Sequence, residues 1–234
     1  MTKHMAFPEE TSAKFFPSTL FDMTKTEHAI LFSSIKYVWE ALPLIGPYIG
    51  EILKCLRRRA INSPIPDGAW VSKNVYIGYD CQIDPGVSIK GPAWIGDGCI
   101  LRQGLLIKEN VITGEGSFLG HSSELKNCFL FAQAETPHFN YVGDSILGYR
   151  AHLGAGVILS NVRLDKMAIS IQDGFYRADT GLCKMGSFIG DGAQIGCNSV
   201  LNPGTIIGRN AVVFPLSRCR GVIESGAIIK ESSF

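Results

Sequence analysis

Stepping by six from Ile77 meets Ile83, Ile89, Ile95, Leu101, Ile107, Thr113, Leu119 and Leu125, an aliphatic series with a single threonine. The fourth residue after each is mostly small or β-branched: Cys81, Val87, Ala93, Cys99, Leu105, Val111, Ser117, Ser123. Glycine often follows directly, as at Gly78, Gly96, Gly114 and Gly120, and the same rule returns at Ile189, Ile195, Leu201, Ile207 and Val213. A period of six belongs neither to a helix nor to a simple alternating strand. It describes short strands joined by tight turns, each hexad forming one flat side of a coil, the hexapeptide β-helix. The aliphatic residue fills the interior, the small residue lets the corner turn, and glycine accepts unusual backbone angles there. Cys81 and Cys99 then read as small core residues.

The phase of the repeat changes once. Leu147, Leu153 and Leu159 share the phase of Ile189, whereas Leu125 does not, and 22 residues separate Leu125 from Leu147. That is three hexads plus four, so a loop is predicted over 126–146. A second departure spans 160–187, where "MAISIQDGFYRADTG" reads as strand, Asp-Gly turn, strand. Two departures flanking a short intact stretch of coil suggest a cleft. The coil domain is assigned to 67–234.

Residues 1–66 have a different pattern and are assigned to a small helical cap or oligomer-contact region. In "TEHAILFSSIKYVWEAL" Leu31, Ile35, Val38 and Leu42 fall on one helical face. Proline and glycine at 43–47 are expected to stop that helix. A second, from Tyr48 to Ala60, turns Ile49, Ile52, Leu53 and Leu56 inward. His28 reads as a helix-surface residue and His4 as part of a terminus.

The bulk composition narrows the function classes. The 234 residues carry a formal net charge of +1 with no long run of one sign, which argues against a dedicated nucleic-acid binder. The seven cysteines include no pair at CxxC spacing, so neither a metal site nor a redox pair is indicated. The early apolar run "ALPLIGPYIG" holds two prolines and is too short for a membrane span. With no signal peptide recognised, a cytoplasmic location is expected.

Three hexads per turn place residues 18 apart on top of one another, about 4.8 Å from rung to rung. Lys126 then lies above Lys108 and Lys90. Such a ladder needs acidic neighbours or a bound anion, or else its members splay into water. His138, after Pro137 and three residues before Tyr141, is either a structural histidine or a base suited to proton removal near neutral pH.

Lys126, "PHFNYVGDSILG" and "LGAGVILSN" resemble the acetyltransferase domain of the bifunctional enzyme family that makes UDP-N-acetylglucosamine, and related sugar-1-phosphate nucleotidylyltransferase-like proteins. The similarity is good from Ser122 to Asn161 and weaker over 69–228. The resemblance implies an all-β fold, a left-handed parallel β-helix assembled as a homotrimer. It also implies an enzyme that moves acetyl from acetyl-CoA to the amine of glucosamine-1-phosphate in clefts between subunits.

By position, His138 is the implied general base and Glu124 helps organise the site. Lys126 binds the sugar phosphate, and Tyr141 and Asn161 hold the sugar. The Ala155 amide faces the thioester oxygen. The chain departs from the family at Lys108, where an arginine is expected, and at His152, where an asparagine contacts the sugar. It departs again at Lys166, a lysine displaced by one place, and at Cys197, a serine near the cofactor. Arg209, Arg218 and Arg220 are candidates for the CoA phosphates. The nucleotidylyltransferase domain of the bifunctional proteins has no counterpart within 1–66. Two alternatives therefore accompany the acetyltransferase reading. One is a non-catalytic sugar-nucleotide binding or assembly module paired with a separate nucleotidylyltransferase, and the other is an acyltransferase on a nucleotide sugar.

Overall fold

The computed structural model describes residues 12–56, 61–173 and 176–230. The expectations for His4, for 57–60 and for the Asp-Gly turn at Gly174 fall outside these residues. Three parallel sheets of eight short strands each wind into the expected left-handed β-helix, every rung giving one strand to each face in turn. We number the faces from the one holding Trp70–Val71, then Val75–Ile77, then Gln82–Ile83.

Inward side chains stack in columns. On the first face Ile89, Ile107, Leu125, Val142, Leu159, Leu201 and Cys219 follow one another in register. On the second, Ile77, Ile95, Thr113, Leu130, Leu147, Ile189 and Ile207 do the same. Every one of these is buried. A large aliphatic side chain sealed in this way contributes roughly 1.5–3 kcal/mol.

The expected loop over 126–146 does not leave the coil. Glu124–Lys126, Cys128–Leu130, Glu135–His138, Tyr141–Gly143 and Ile146–Leu147 are all coil strands paired to the rungs on either side. The phase changes because the corner from first to second face is one residue shorter in two successive rungs, Leu125 to Leu130 and Val142 to Leu147. Glu124 therefore pairs with Tyr141, and Phe129 with Ile146, at a spacing of 17 instead of 18. In the next rung the same corner holds the insertion. Its strands Ser170–Asp173 and Tyr176–Asp179 pair antiparallel as expected. Ile169 and Ile171 are buried, so the hairpin folds back onto the coil.

What it folds onto is the outer side of the second face. There Tyr76, Trp94, Ile112, Phe129, Ile146, Phe188, Ile206 and Val222 form a continuous apolar column. Strands apolar on both sides need cover on both sides. The N-terminal region supplies most of it through Phe21, Phe32, Trp39, Ile45 and Ile49. Phe32 packs edge-on to Phe129 at 5.2 Å, and Phe21 stacks on Phe131 at 4.8 Å.

The helix expected over Leu31–Leu42 is instead two 3-10 turns, Ala29–Phe32 and Val38–Ala41, followed by helix α1, Leu42–Cys55. Pro43 opens α1 rather than stopping a helix, because the first turn has no use for its missing N–H. At Gly46 a Cβ would stand 2.6 Å from Asn110 Oδ1, so a larger residue there would displace the Asn110 side chain. Among the described residues no helix is long and apolar enough to cross a membrane.

His28 is not on a helix surface. It is 3% exposed, packed edge-on against Trp94, with Nδ1 2.9 Å from the Tyr48 hydroxyl. Burial lowers its pKa to about 4. A histidine that is neutral when folded and titrates near 6.5 when unfolded withdraws stability as pH falls between those values. At pH 5 the loss expected from this group is about 2 kcal/mol relative to pH 7.5. Urea unfolding at the two pH values should show a smaller difference for His28→Gln than for the wild type; an equal difference would contradict this assignment.

Candidate active site

The acceptor half of the candidate site lies on the corner between first and second faces, the corner with the altered lengths. Lys90, Lys108, Lys126 and Gly143 follow successive inward residues and so form one column up this corner. The lysine ladder is answered by acidic neighbours at two rungs. Lys108 Nζ is 3.5 Å from Glu124 Oε1, and Lys126 Nζ is 3.0 Å from Glu109 Oε1. The Glu109 contact raises the Lys126 pKa; hydrogen bonding to its own backbone and then to Lys126 lowers that of Glu109. Lys90 has no carboxylate within ion-pair distance among the described residues.

At Gly143 the ladder stops and the backbone is bare. A Cβ there would stand 2.7 Å from both the Tyr141 hydroxyl and Asn161 Nδ2. Those two groups meet over the glycine, with the amide 3.2 Å from the phenol oxygen. Asp144 fixes them from the side. Its carboxylate accepts from Asn161 Nδ2 at 2.6 Å and from Asn127 Nδ2 at 2.7 Å, joining three successive rungs. Asn127 and Asp144 both hold positive φ, 45° and 47°, as the shortened corner demands; Asn and Asp tolerate that region better than most residues. Burial raises the Tyr141 pKa, so the phenol stays protonated near neutral pH and can donate. Glu124 is the register partner of Tyr141 on the rung below.

His138 lies on the other side of the first face, at the corner joining it to the third. Hydrogen bonds from Phe139 N to His121 O, Gly156 N to His138 O, Asn198 N to Ala155 O and Leu216 N to Cys197 O stack this corner. The column therefore runs His121, His138, Ala155, Cys197. His138 is exposed and its ring has no described partner. Its backbone is held firmly. Asn140, 2% exposed, accepts from His138 N at 3.1 Å and donates to Gly154 O at 2.8 Å. The Ala155 amide donates to no described group.

Other expected site residues stand apart within one chain. His152 is on the third face, where its Nδ1 is 2.7 Å from Glu135 Oε2. Lys166 is exposed in the insertion at φ 57°. Arg209 Nη2 donates to Ser18 O at 3.1 Å and lies 3.7 Å from Asp191, tying down the N-terminal region. Arg218 and Arg220 are exposed. Asp144, Asn127, Glu109 and Asn140 are structural parts of the site that sequence reasoning assigned no role. The one available signal was Asn or Asp just after the Lys126 and Gly143 corner positions.

The arrangement offers an unpartnered imidazole and an unpaired backbone donor on one corner, and a cation, a phenol and two side-chain amides on the next. Residues 186–215 match the family described as bacterial transferase hexapeptide, six repeats. The chain is 34% identical over 188 residues to the uncharacterized acetyltransferase YaiX of Escherichia coli, covering 78% of this chain and 82% of that one. Over 97 residues it is 33% identical to a bifunctional sugar-1-phosphate nucleotidylyltransferase/acetyltransferase of Sulfurisphaera tokodaii, covering 42% of this chain and 24% of that one. The same length is 33% identical to the bifunctional protein GlmU of Methanococcus maripaludis, covering 42% and 23%. The chain thus spans about a quarter of these bifunctional relatives. It belongs to the hexapeptide-repeat transferase family.

Asn140→Ala should strand the His138 N–H and remove a donor from Gly154 O inside the coil. A cost of about 1–3 kcal/mol is expected, read as a lower Tm. An unchanged Tm would show that the corner does not depend on this side chain.

Proposed function

We propose that the protein is a CoA-dependent N-acetyltransferase acting on an amino-sugar phosphate, with glucosamine-1-phosphate the first choice of acceptor. That reaction would serve UDP-N-acetylglucosamine and cell-envelope biosynthesis. The observation that carries this reading is the pairing, one rung apart on one corner, of the unpartnered His138 ring and the unpaired Ala155 amide. The relatives' names, which include acetyltransferases and sugar-1-phosphate enzymes, support it.

In this reading the sugar lies over Gly143 against Tyr141 and Asn161, with its phosphate on Lys126. His138 takes a proton from the ammonium group. The freed amine attacks the thioester carbonyl, a C–N bond forms, and the oxyanion is met by the Ala155 N–H. The C–S bond then breaks, CoA leaves as the thiolate, and the second nitrogen proton passes to that thiolate or to water, leaving the neutral amide. Holding both reactants on a rigid coil removes much of the entropic barrier. The two corners are separated by the width of the first face, so a cleft against a second copy in a homotrimer would bring a base and a phosphate ligand to one acceptor. Lys108 and Glu124 would flank that cleft, and His152 of one copy is assigned to contact the acceptor held by another. Lys166 and Cys197 are proposed at its acceptor and donor margins. A nucleotide-linked amino sugar is the second acceptor class, favoured by Lys90 extending the cationic column beyond Lys126.

His138→Ala should lower kcat about 10²–10⁴-fold with little change in KM for the acceptor. Lys126→Ala should act mainly through a raised acceptor KM. Steady-state rates with acetyl-CoA and each acceptor test both, and a His138→Ala enzyme with wild-type kcat would remove the imidazole from the mechanism.

A further inference from the structure

The His138 corner is asymmetric along the coil axis. On the C-terminal side the column presents Ala155 and then Cys197, both small. On the N-terminal side it presents His121, whose ring is pinned by Nδ1 at 2.7 Å from Gln103 O and Nε2 at 3.1 Å from Ser122 Oγ. Phe139, next to His138, lies edge-on against that ring at 5.3 Å.

The fold has little use for Phe139. It is 57% exposed and holds φ 53°, a conformation that costs a bulky residue about 1–2 kcal/mol. Gly104, Gly156 and Asn198 hold the same kind of turn at this corner without that penalty. Leu216, the other bulky occupant, stands exposed one rung beyond Asn198 at φ 61°. A strained, exposed aromatic beside an unpartnered imidazole points to a ligand contact rather than to packing.

We propose that His121 and Phe139 form the wall that ends the acyl pocket and so restrict the donor to short acyl thioesters. This rests on the transferase reading above. A thioester carbonyl placed at the Ala155 N–H and within reach of an amine at His138 has two substituents to accommodate. The sulfur and its long arm fit only along the small residues Ala155 and Cys197. The acyl chain is then directed toward His121 and Phe139, whose rings, one pinned and the other edge-on against it, would bound its length. Each additional methylene meeting such a wall is worth roughly 10-fold or more in discrimination.

The test is calorimetric binding of acetyl-CoA and butyryl-CoA to the intact protein, which needs no knowledge of the acceptor. The wild type should bind butyryl-CoA at least about 10-fold more weakly than acetyl-CoA. His121→Ala and Phe139→Asn should each bring the two affinities together. Phe139→Asn should also keep or raise Tm, since asparagine accepts the left-handed turn. Retained acetyl-CoA binding with an unchanged ratio in both variants, or equal binding of the two thioesters by the wild type, would overturn the wall and leave the transferase reading standing. A wild type that binds neither thioester would remove both.

Discussion

Vertical registry governs this molecule. Each coil strand is two to four residues long and pairs only with the rungs above and below, so none of them could stand alone. Stability comes from stacking inward side chains in continuous columns, from Ile89 through Cys219 on the first face and likewise on the others. A one-residue slip on any side would turn an inward column outward. Changes in length are therefore confined to corners. The corner between first and second faces absorbs them: it is shortened at Lys126–Asn127, shortened again at Gly143–Asp144, extended after Asn161, and shortened by two residues between Cys219 and Ile223. The polar cluster of Tyr141, Asp144 and Asn161 is the product of the first three of those changes.

The same registry makes the candidate site rigid. Tyr141 and Asn161 meet because Gly143 leaves the space, and Asp144 ties Asn161 to Asn127 one rung away on its other side. His138 projects from a backbone held by the buried Asn140. Groups fixed in this way lose little freedom when a substrate arrives, which favours catalysis by preorganised donors over catalysis by induced closure. The second face takes no part in this. Its outer column is sealed by the N-terminal region and by the hairpin, and among the described residues the first and third faces are left uncovered.

Much of the fold was legible because a six-residue period of aliphatics has few physical solutions. The phase change between Leu125 and Leu147 was also legible, but its cause was not. A count of residues cannot separate one loop from two shortened corners; the strand pairing of Glu124 with Tyr141 can. The N-terminal region misled because Pro43 can end one helix or begin the next, and the choice depends on packing against Trp94 and Phe129. His28 was misplaced for the same reason. In the site, Lys126 stood out by its place in the lysine ladder and His138 by type and position beside Tyr141, whereas Asn161 and the sugar-holding role of Tyr141 came from the family resemblance. Glu109, Asp144 and Asn140 act through neighbours one rung away, so their roles become visible only once the rungs are stacked. His152 was grouped with the sugar ligands, and the coil places it on another face beside Glu135.

Under the proposed function, the two corners together perform acyl transfer to an amine. The most direct measurement is mass spectrometry of purified protein incubated with acetyl-CoA and a panel of amino-sugar phosphates and nucleotide-linked amino sugars. One N-acetylated acceptor should accumulate with stoichiometric release of CoA. An assembled, folded protein that binds a sugar nucleotide yet acetylates nothing in the panel would contradict the proposed function and leave a binding module in its place.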